Sequence, residues 1–123
     1  MAKHLNPTRI ALLWTLMILI ALSIPGRSIP SVKVLEYDKL IHAGLFFVLG
    51  VLWLTAKSEA KMLRGVVILV CILALSVGSE FYQELMPIGR TADMVDAAAD
   101  SVGAILAFLI WIGLRQRFHR LNG

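Results

Sequence analysis

Four long apolar runs separated by short polar connections organise the chain. The first extends from Ile10 to Ile24, between Arg9 and the breaker Pro25-Gly26-Arg27. The second covers about Leu40 to Ala56, the third about Gly65 to Leu85 and the fourth about Met94 to Leu114. A helix rises about 1.5 Å per residue, so about 20 residues cross a hydrocarbon core of about 30 Å. The first two runs are slightly short and borrow flanking residues or thin the bilayer locally. Hydrocarbon offers unpaired backbone no partner, which leaves helices as the form these segments take. The pattern predicts helices over residues 9–25, 38–57, 64–85 and 93–114. The expected fold class is all-α: a membrane-spanning four-helix bundle with both termini cytoplasmic, one domain over residues 1–123.

Composition agrees. The chain is 59% hydrophobic and 16% charged, with a mean hydropathy of +0.80, whereas a soluble domain is about 25% charged. A net charge of +4 raises nucleic acid as a partner, but membrane proteins keep Lys and Arg at their cytoplasmic ends for a different reason. No nucleic-acid role is expected. The single Cys71 excludes an intrachain disulfide and is expected to pack as a small hydrophobe. Lys3, His4 and Arg9 followed by an apolar stretch and Ala21-Leu22-Ser23 also fit a signal peptide; the reading taken is a retained first helix. With the N-terminus inside, Lys3, Arg9, Lys57, Lys61, Arg64, Arg115, Arg117 and Arg120 are cytoplasmic, and Arg27, Lys33, Lys39 and Arg90 are outside. The excess supports both termini inside. Trp14, Trp53 and Trp111 towards the inner boundary, and Tyr37 and Tyr82 near the outer one, are expected interfacial anchors. The basic tail from Arg115 to Arg120 reads as a topology anchor against anionic lipid.

The polar residues inside the runs gather at one end. Asp38 and His42 are four apart at the start of the second helix; Glu80, Gln83 and Glu84 lie at the end of the third. Asp93, Asp96 and Asp100 follow at steps of three and four along the start of the fourth, and Arg90 sits in the intervening loop Pro87-Ile88-Gly89-Arg90. Such spacings share a helix face. Charged groups in spanning segments are costly, so they face the bundle interior or a wet cavity. One reading is a polar pocket opening outward. The other is a structural network, with Arg90 clamping carboxylates and His42 capping Asp38. Asp38, Asp93 and Asp96 also suit the first turns of their helices, where acids complement the dipole; Asp100 is too deep for that. Ala99, Gly103 and Ala107 form a stripe of small residues that permits close helix packing, within the chain or between copies in a homo-oligomer.

These residues are similar to the blocks of the VanZ-like membrane proteins, a family named for a glycopeptide (teicoplanin) resistance protein. The resemblance runs from Pro25 to Gly113. It rests on Asp38-Lys39-Leu40-Ile41-His42 with Leu49-Gly50, on Glu80-Phe81-Tyr82-Gln83 with Pro87 and Gly89-Arg90, and on Asp93, Asp96, Asp100 and Gly103. Many members carry Asn where this chain has Asp100. The resemblance implies a bacterial inner-membrane protein with a cell-envelope role and a link to glycopeptide tolerance; it implies no settled biochemical activity.

Three functions are compatible with this pattern. The preferred one is recognition of an envelope lipid head group or lipid-linked cell-wall precursor, through Asp38, His42, Glu80, Gln83, Arg90, Asp93, Asp96 and Asp100. Arg90 would take phosphate or carboxylate through its fork, and Gln83 and the acids would accept from sugar hydroxyls. Because acids repel phosphate, this requires Arg90, Lys39 or a bound cation to invert the local charge. The second is an intramembrane enzyme with His42 as general base, Asp38 orienting it or Glu80 sharing its proton. A metal on His42, Glu80 and Asp96 is a variant of that reading, although no HExxH spacing or serine elbow appears and no cofactor is expected. The third is a structural or partner subunit of a membrane complex.

Overall fold

The computed structural model describes residues 6–22, 32–56, 61–85 and 94–122, with side chains for 6–21, 39–56, 61–85 and 94–117. The described residues form four helices and no strand: α1 (Pro7–Leu22), α2 (Val32–Leu54), α3 (Met62–Leu85) and α4 (Met94–Asn122). Asn6 starts α1 as an N-cap, its Oδ1 accepting from the Thr8 N–H at 2.9 Å, and Pro7 fills the first helical position, where a missing N–H costs nothing. The ends of α2 and α4 depart from the hydropathy reading. Helix α2 begins at Val32, ahead of the expected start at 38, and α4 continues past Leu114 through the basic tail to Asn122. Apolar runs mark where a helix meets hydrocarbon, not where its backbone stops.

Helix α3 and the Met94–Arg117 part of α4 are long and apolar enough to cross a membrane. Only 22% and 28% of their most apolar stretches are buried within the chain. A core helix of a soluble protein would bury most of its apolar surface. Here Leu63, Val67, Val70, Val102, Leu106 and Leu109 are instead exposed, which suits a hydrocarbon solvent. Helices α1 and α2 carry shorter apolar stretches, Pro7–Ala21 and Lys39–Leu54.

Helix α2 lies at the centre and packs on the other three, while α3 also packs on α4. Helices α2 and α4 run parallel: His42 meets Asp100, and Gly50 meets Ala107. Helix α3 runs antiparallel to α4, with Ser76 beside Asp100 and Gly65 beside Trp111. The core cluster is Ile18, Phe46, Leu49, Ile72 and Ala104. The α2–α4 crossing depends on small residues. A Cβ on Gly103 would overlap the carbonyl oxygen of Ala43 and lie 3.0 Å from the Phe47 nitrogen; one on Gly50 would lie 2.8 Å from the Ala107 Cβ. The small-residue stripe on α4 is thus used within the chain at Gly103 and Ala107, both buried.

Two of the three tryptophans behave differently from simple interfacial anchors. Trp14 Nε1 donates to the Leu45 carbonyl at 3.0 Å, and Trp53 Nε1 donates to Thr15 Oγ1 at 3.0 Å. An indole N–H in apolar surroundings must find an acceptor, and these two tie α1 to α2. Trp111 packs on Gly65, with Arg115 5.8 Å from its ring centroid. Cys71 is exposed, on the flank of α3 that faces an open cleft towards α1.

Gly103→Ala is expected to lower the thermal midpoint in mild detergent, at a cost of about 1–3 kcal/mol for overpacking against a backbone that cannot yield. Gly113→Ala, whose Cβ meets nothing within 4 Å, is the control and should leave the midpoint unchanged. Equal midpoints for the two variants would show that the crossing is not tight.

Candidate functional site

The site forms where α2, α3 and α4 meet at one end of the bundle. Each helix contributes from the face that its 3.6-residue period turns inward. Helix α2 supplies Lys39 and His42, less than one turn apart. Helix α4 supplies Asp96 and Asp100, about one turn apart. Helix α3 supplies Ser76, Ser79, Glu80 and Gln83, all buried.

Asp100 is the centre. Its carboxylate is fully sealed from solvent, at 0% exposure. Oδ1 lies 2.8 Å from His42 Nδ1, and Oδ2 accepts from the Ser76 hydroxyl at 3.1 Å. The same hydroxyl reaches the Ala97 carbonyl at 3.2 Å, and Ser79 Oγ donates to the Ser76 carbonyl at 2.7 Å. With Asp100 ionised, Nδ1 carries the proton and donates to it, which sets both the tautomer and the plane of the ring. Nε2 then faces Asp96, whose Oδ2 is 3.9 Å away, longer than a direct hydrogen bond. Asp96 Oδ1 in turn holds the Lys39 ammonium. The result is a file of groups, Lys39, Asp96, His42 and Asp100, ending on Ser76. Side-chain exposure falls along it from 39% at Lys39 through 13% and 7% to 0% at Asp100. Among the described residues the file is most exposed at its Lys39 end.

Helix α4 begins at Met94, so Asp100 sits about 9 Å along it. A charge at that depth in an apolar bundle needs compensation by charge and hydrogen bonds; His42 and Ser76 give it the hydrogen bonds. Asp96 occupies the first turn of α4 and so faces the positive end of the helix dipole as well as Lys39.

The chain matches the VanZ/LLP1 family model over residues 8–116. It belongs to that family. No curated protein and no solved structure gives a significant match. The VanZ/LLP1 match takes in nearly all of the four helices, including α1, whose Ala11 and Ile18 are fully buried in the bundle.

Of the residues singled out by sequence, the structure brings His42, Asp96 and Asp100 together. Glu80 and Gln83, 1% and 2% exposed, lie on the Ser76 face of α3, one and two turns nearer the helix end. Glu84 is exposed. The Asp38 side chain, Arg90 and Asp93 lie outside the described residues. Among the described residues, Asp100 on another helix meets His42 Nδ1 and orients the ring. Among the described residues, no group of three His, Cys, Asp or Glu side chains converges to hold a metal ion.

Sequence reasoning passed over Ser76 and Ser79, and treated Lys39 mainly as a topological charge. The signal was present: positions 76, 79, 80 and 83 trace a single polar stripe through an otherwise apolar helix.

Asp100→Ala would strip His42 Nδ1 of this acceptor and Ser76 of one of its two. Thermal unfolding in detergent should register a loss of about 1–3 kcal/mol, the usual cost of a buried group left unsatisfied. Asp100→Asn keeps an acceptor oxygen and should lose less. If Asp100→Ala unfolds with the wild-type protein, the pair has no structural role.

Proposed function

We propose that this VanZ/LLP1 protein is a multi-pass protein of the bacterial inner membrane whose polar end binds the head group of an envelope lipid or lipid-linked cell-wall precursor. The observation that carries this reading is the graded file from Lys39 to Asp100, accessible at one end and sealed at the other, in a bundle whose remaining surface is largely apolar. Ionic groups at such depth are costly unless they have work to do or neutralise one another, and a route in from the accessible end favours work. The excess of Lys and Arg at the other end of the helices supports cytoplasmic termini with this end outside. A head group would meet Lys39 first. Its phosphate suits Lys39 and Arg90, and its hydroxyl or ammonium groups suit Asp96, Glu80 and Gln83; Asp38 and Asp93 sit at the same end in sequence. Occupying such a lipid, or altering its presentation, would connect the protein to glycopeptide tolerance.

A second reading is favoured by one specific feature, the Asp100–His42 pair. A carboxylate on Nδ1 fixes the imidazole so that Nε2 can take or give a proton, the arrangement of a general base. In this reading the bound lipid is also transformed at its head group, with His42 acting on a hydroxyl or water and Asp100 positioning it.

The test is native mass spectrometry of gently purified protein presented with phospholipids of different head groups and with a lipid-linked sugar. The wild type should retain one class preferentially, and Lys39→Ala and Asp96→Asn should lose that preference while melting like the wild type. Retention of all classes equally would end the head-group reading. Asp100→Asn separates the two readings. Binding alone predicts a modest change, whereas proton transfer predicts that head-group turnover falls by about 10²–10⁴-fold, the usual contribution of a general base.

A further inference from the structure

We propose that the cleft between α1 and α3, floored by α2, holds one acyl chain of a membrane lipid. The cleft encloses about 330 Å³, at the small end of the roughly 300–1,000 Å³ range of ligand pockets. It deepens the head-group reading and rests on it in one respect, that head and tail belong to the same molecule.

The lining chemistry selects hydrocarbon. Leu49 of α2 and Val67, Ile68, Ile72 and Leu75 of α3 line it with aliphatic side chains. The polar atoms on it are already engaged with one another: Trp53 Nε1 donates to Thr15 Oγ1, which donates to the Ala11 carbonyl at 2.8 Å. Cys71 adds a thiol, which behaves as a small hydrophobe. A ligand with polar groups in this cleft would leave them unsatisfied, at a cost that a methylene chain does not incur.

Size separates a lipid tail from a second copy of the chain. On α3 the cleft runs from Val67 to Leu75, about 12 Å at 1.5 Å per residue. A helix about 10 Å across would occupy on the order of 900 Å³ over that length, more than the about 670 Å³ of empty space in the cleft even with its open side counted. A single acyl chain is slender enough to enter. Access is lateral, since Val67 is 52% exposed and Cys71 is exposed on the apolar flank.

Position joins the cleft to the polar site. Ile72 lies one turn from Ser76 on the same face of α3, and Leu49 lies two turns from His42 on the same face of α2. The Leu75 end of the cleft is the end nearer the polar groups. A lipid with its head group at Lys39 and Asp96 would therefore run its tail down the side where the cleft opens.

The experiment uses the full chain in vesicles of phosphatidylethanolamine and phosphatidylglycerol, doped with a phosphatidylethanolamine carrying a diazirine midway along one acyl chain. After photolysis, label is mapped by peptide mass spectrometry. Label should concentrate several-fold on the Val67–Leu75 segment over the lipid-facing Val102–Leu109 segment of α4. Cys71→Trp and Val67→Trp, which fill the cleft, should abolish the excess without lowering the melting temperature. Even labelling of both segments, or an excess that survives both fillings, would overturn the proposal. So would an efficient Cys71–Cys71 disulfide between two copies under mild oxidation, which would put a second chain at the cleft. Head-group selectivity is read on the same preparations. Selectivity retained with even labelling sinks the cleft alone; a cleft-specific label with no head-group preference sinks the head-group reading alone.

Discussion

The close approach of α2 and α4 at Gly103 is the constraint on which the site depends. Aspartate is a short side chain. For Asp100 to reach His42 Nδ1 at 2.8 Å across a helix interface, the two backbones must nearly touch beside it. Gly103 lies three residues after Asp100, and Ala43 directly follows His42. Their contact brings a glycine against a carbonyl oxygen with no room for a Cβ. One turn and more below, Gly50 and Ala107 repeat the arrangement. In hydrocarbon there is little hydrophobic drive to press helices together, so close packing of small residues has to provide the attraction. The same contacts that hold the helices therefore set the distance over which the ionic pair forms.

From that crossing the bundle divides along its length. Towards one end the interface is polar and graded in exposure. Towards the other it is filled by Phe46, Leu49 and Ile72, with two indole N–H bonds as the polar crosslinks to α1. The division follows from the low dielectric of the surroundings. Each polar group must have a partner, so polar groups cluster where they can serve one another, and isolated ones are confined to single donor–acceptor pairs such as Trp53 with Thr15.

Much of this was legible in the sequence. Four apolar runs of near-membrane length yield four helices, and the 3–4 spacing of Asp96 with Asp100 put both acids on one face. His42 belonged to the same end because the antiparallel alternation of spans brings the starts of the second and fourth helices together. What spacing cannot reveal is pairing between helices. Asp38, four residues from His42 on one helix, could be read from spacing, whereas Asp100 comes to Nδ1 from a different helix and only the close crossing reveals it. Ser76 was invisible for a related reason: a lone hydroxyl barely alters the hydropathy of an apolar run, and its role exists only once α3 faces Asp100. Cys71 was expected to pack as a small hydrophobe; its mid-run position does not say on which side, and it lies on an exposed flank of α3.

The identity of residue 100 bears on what the file can do. Asn in its place could accept from His42 Nδ1 through its oxygen and donate its amide to Ser76 Oγ, which would still reach the Ala97 carbonyl. Orientation of the imidazole would survive, and a ligand would meet nearly the same surface, since Asp100 itself is sealed at 0% exposure. The difference an acid makes is its charge, and a sealed charge in apolar surroundings is costly to maintain. Its benefit is greatest when His42 becomes cationic, because the carboxylate then stabilises the imidazolium directly across 2.8 Å. A site that only orients a head group gains little from that; a site that moves a proton through Nε2 gains in the step where positive charge develops. The carboxylate at position 100 is thus better suited to support proton transfer than the amide of an Asp100→Asn variant with the same hydrogen-bond geometry.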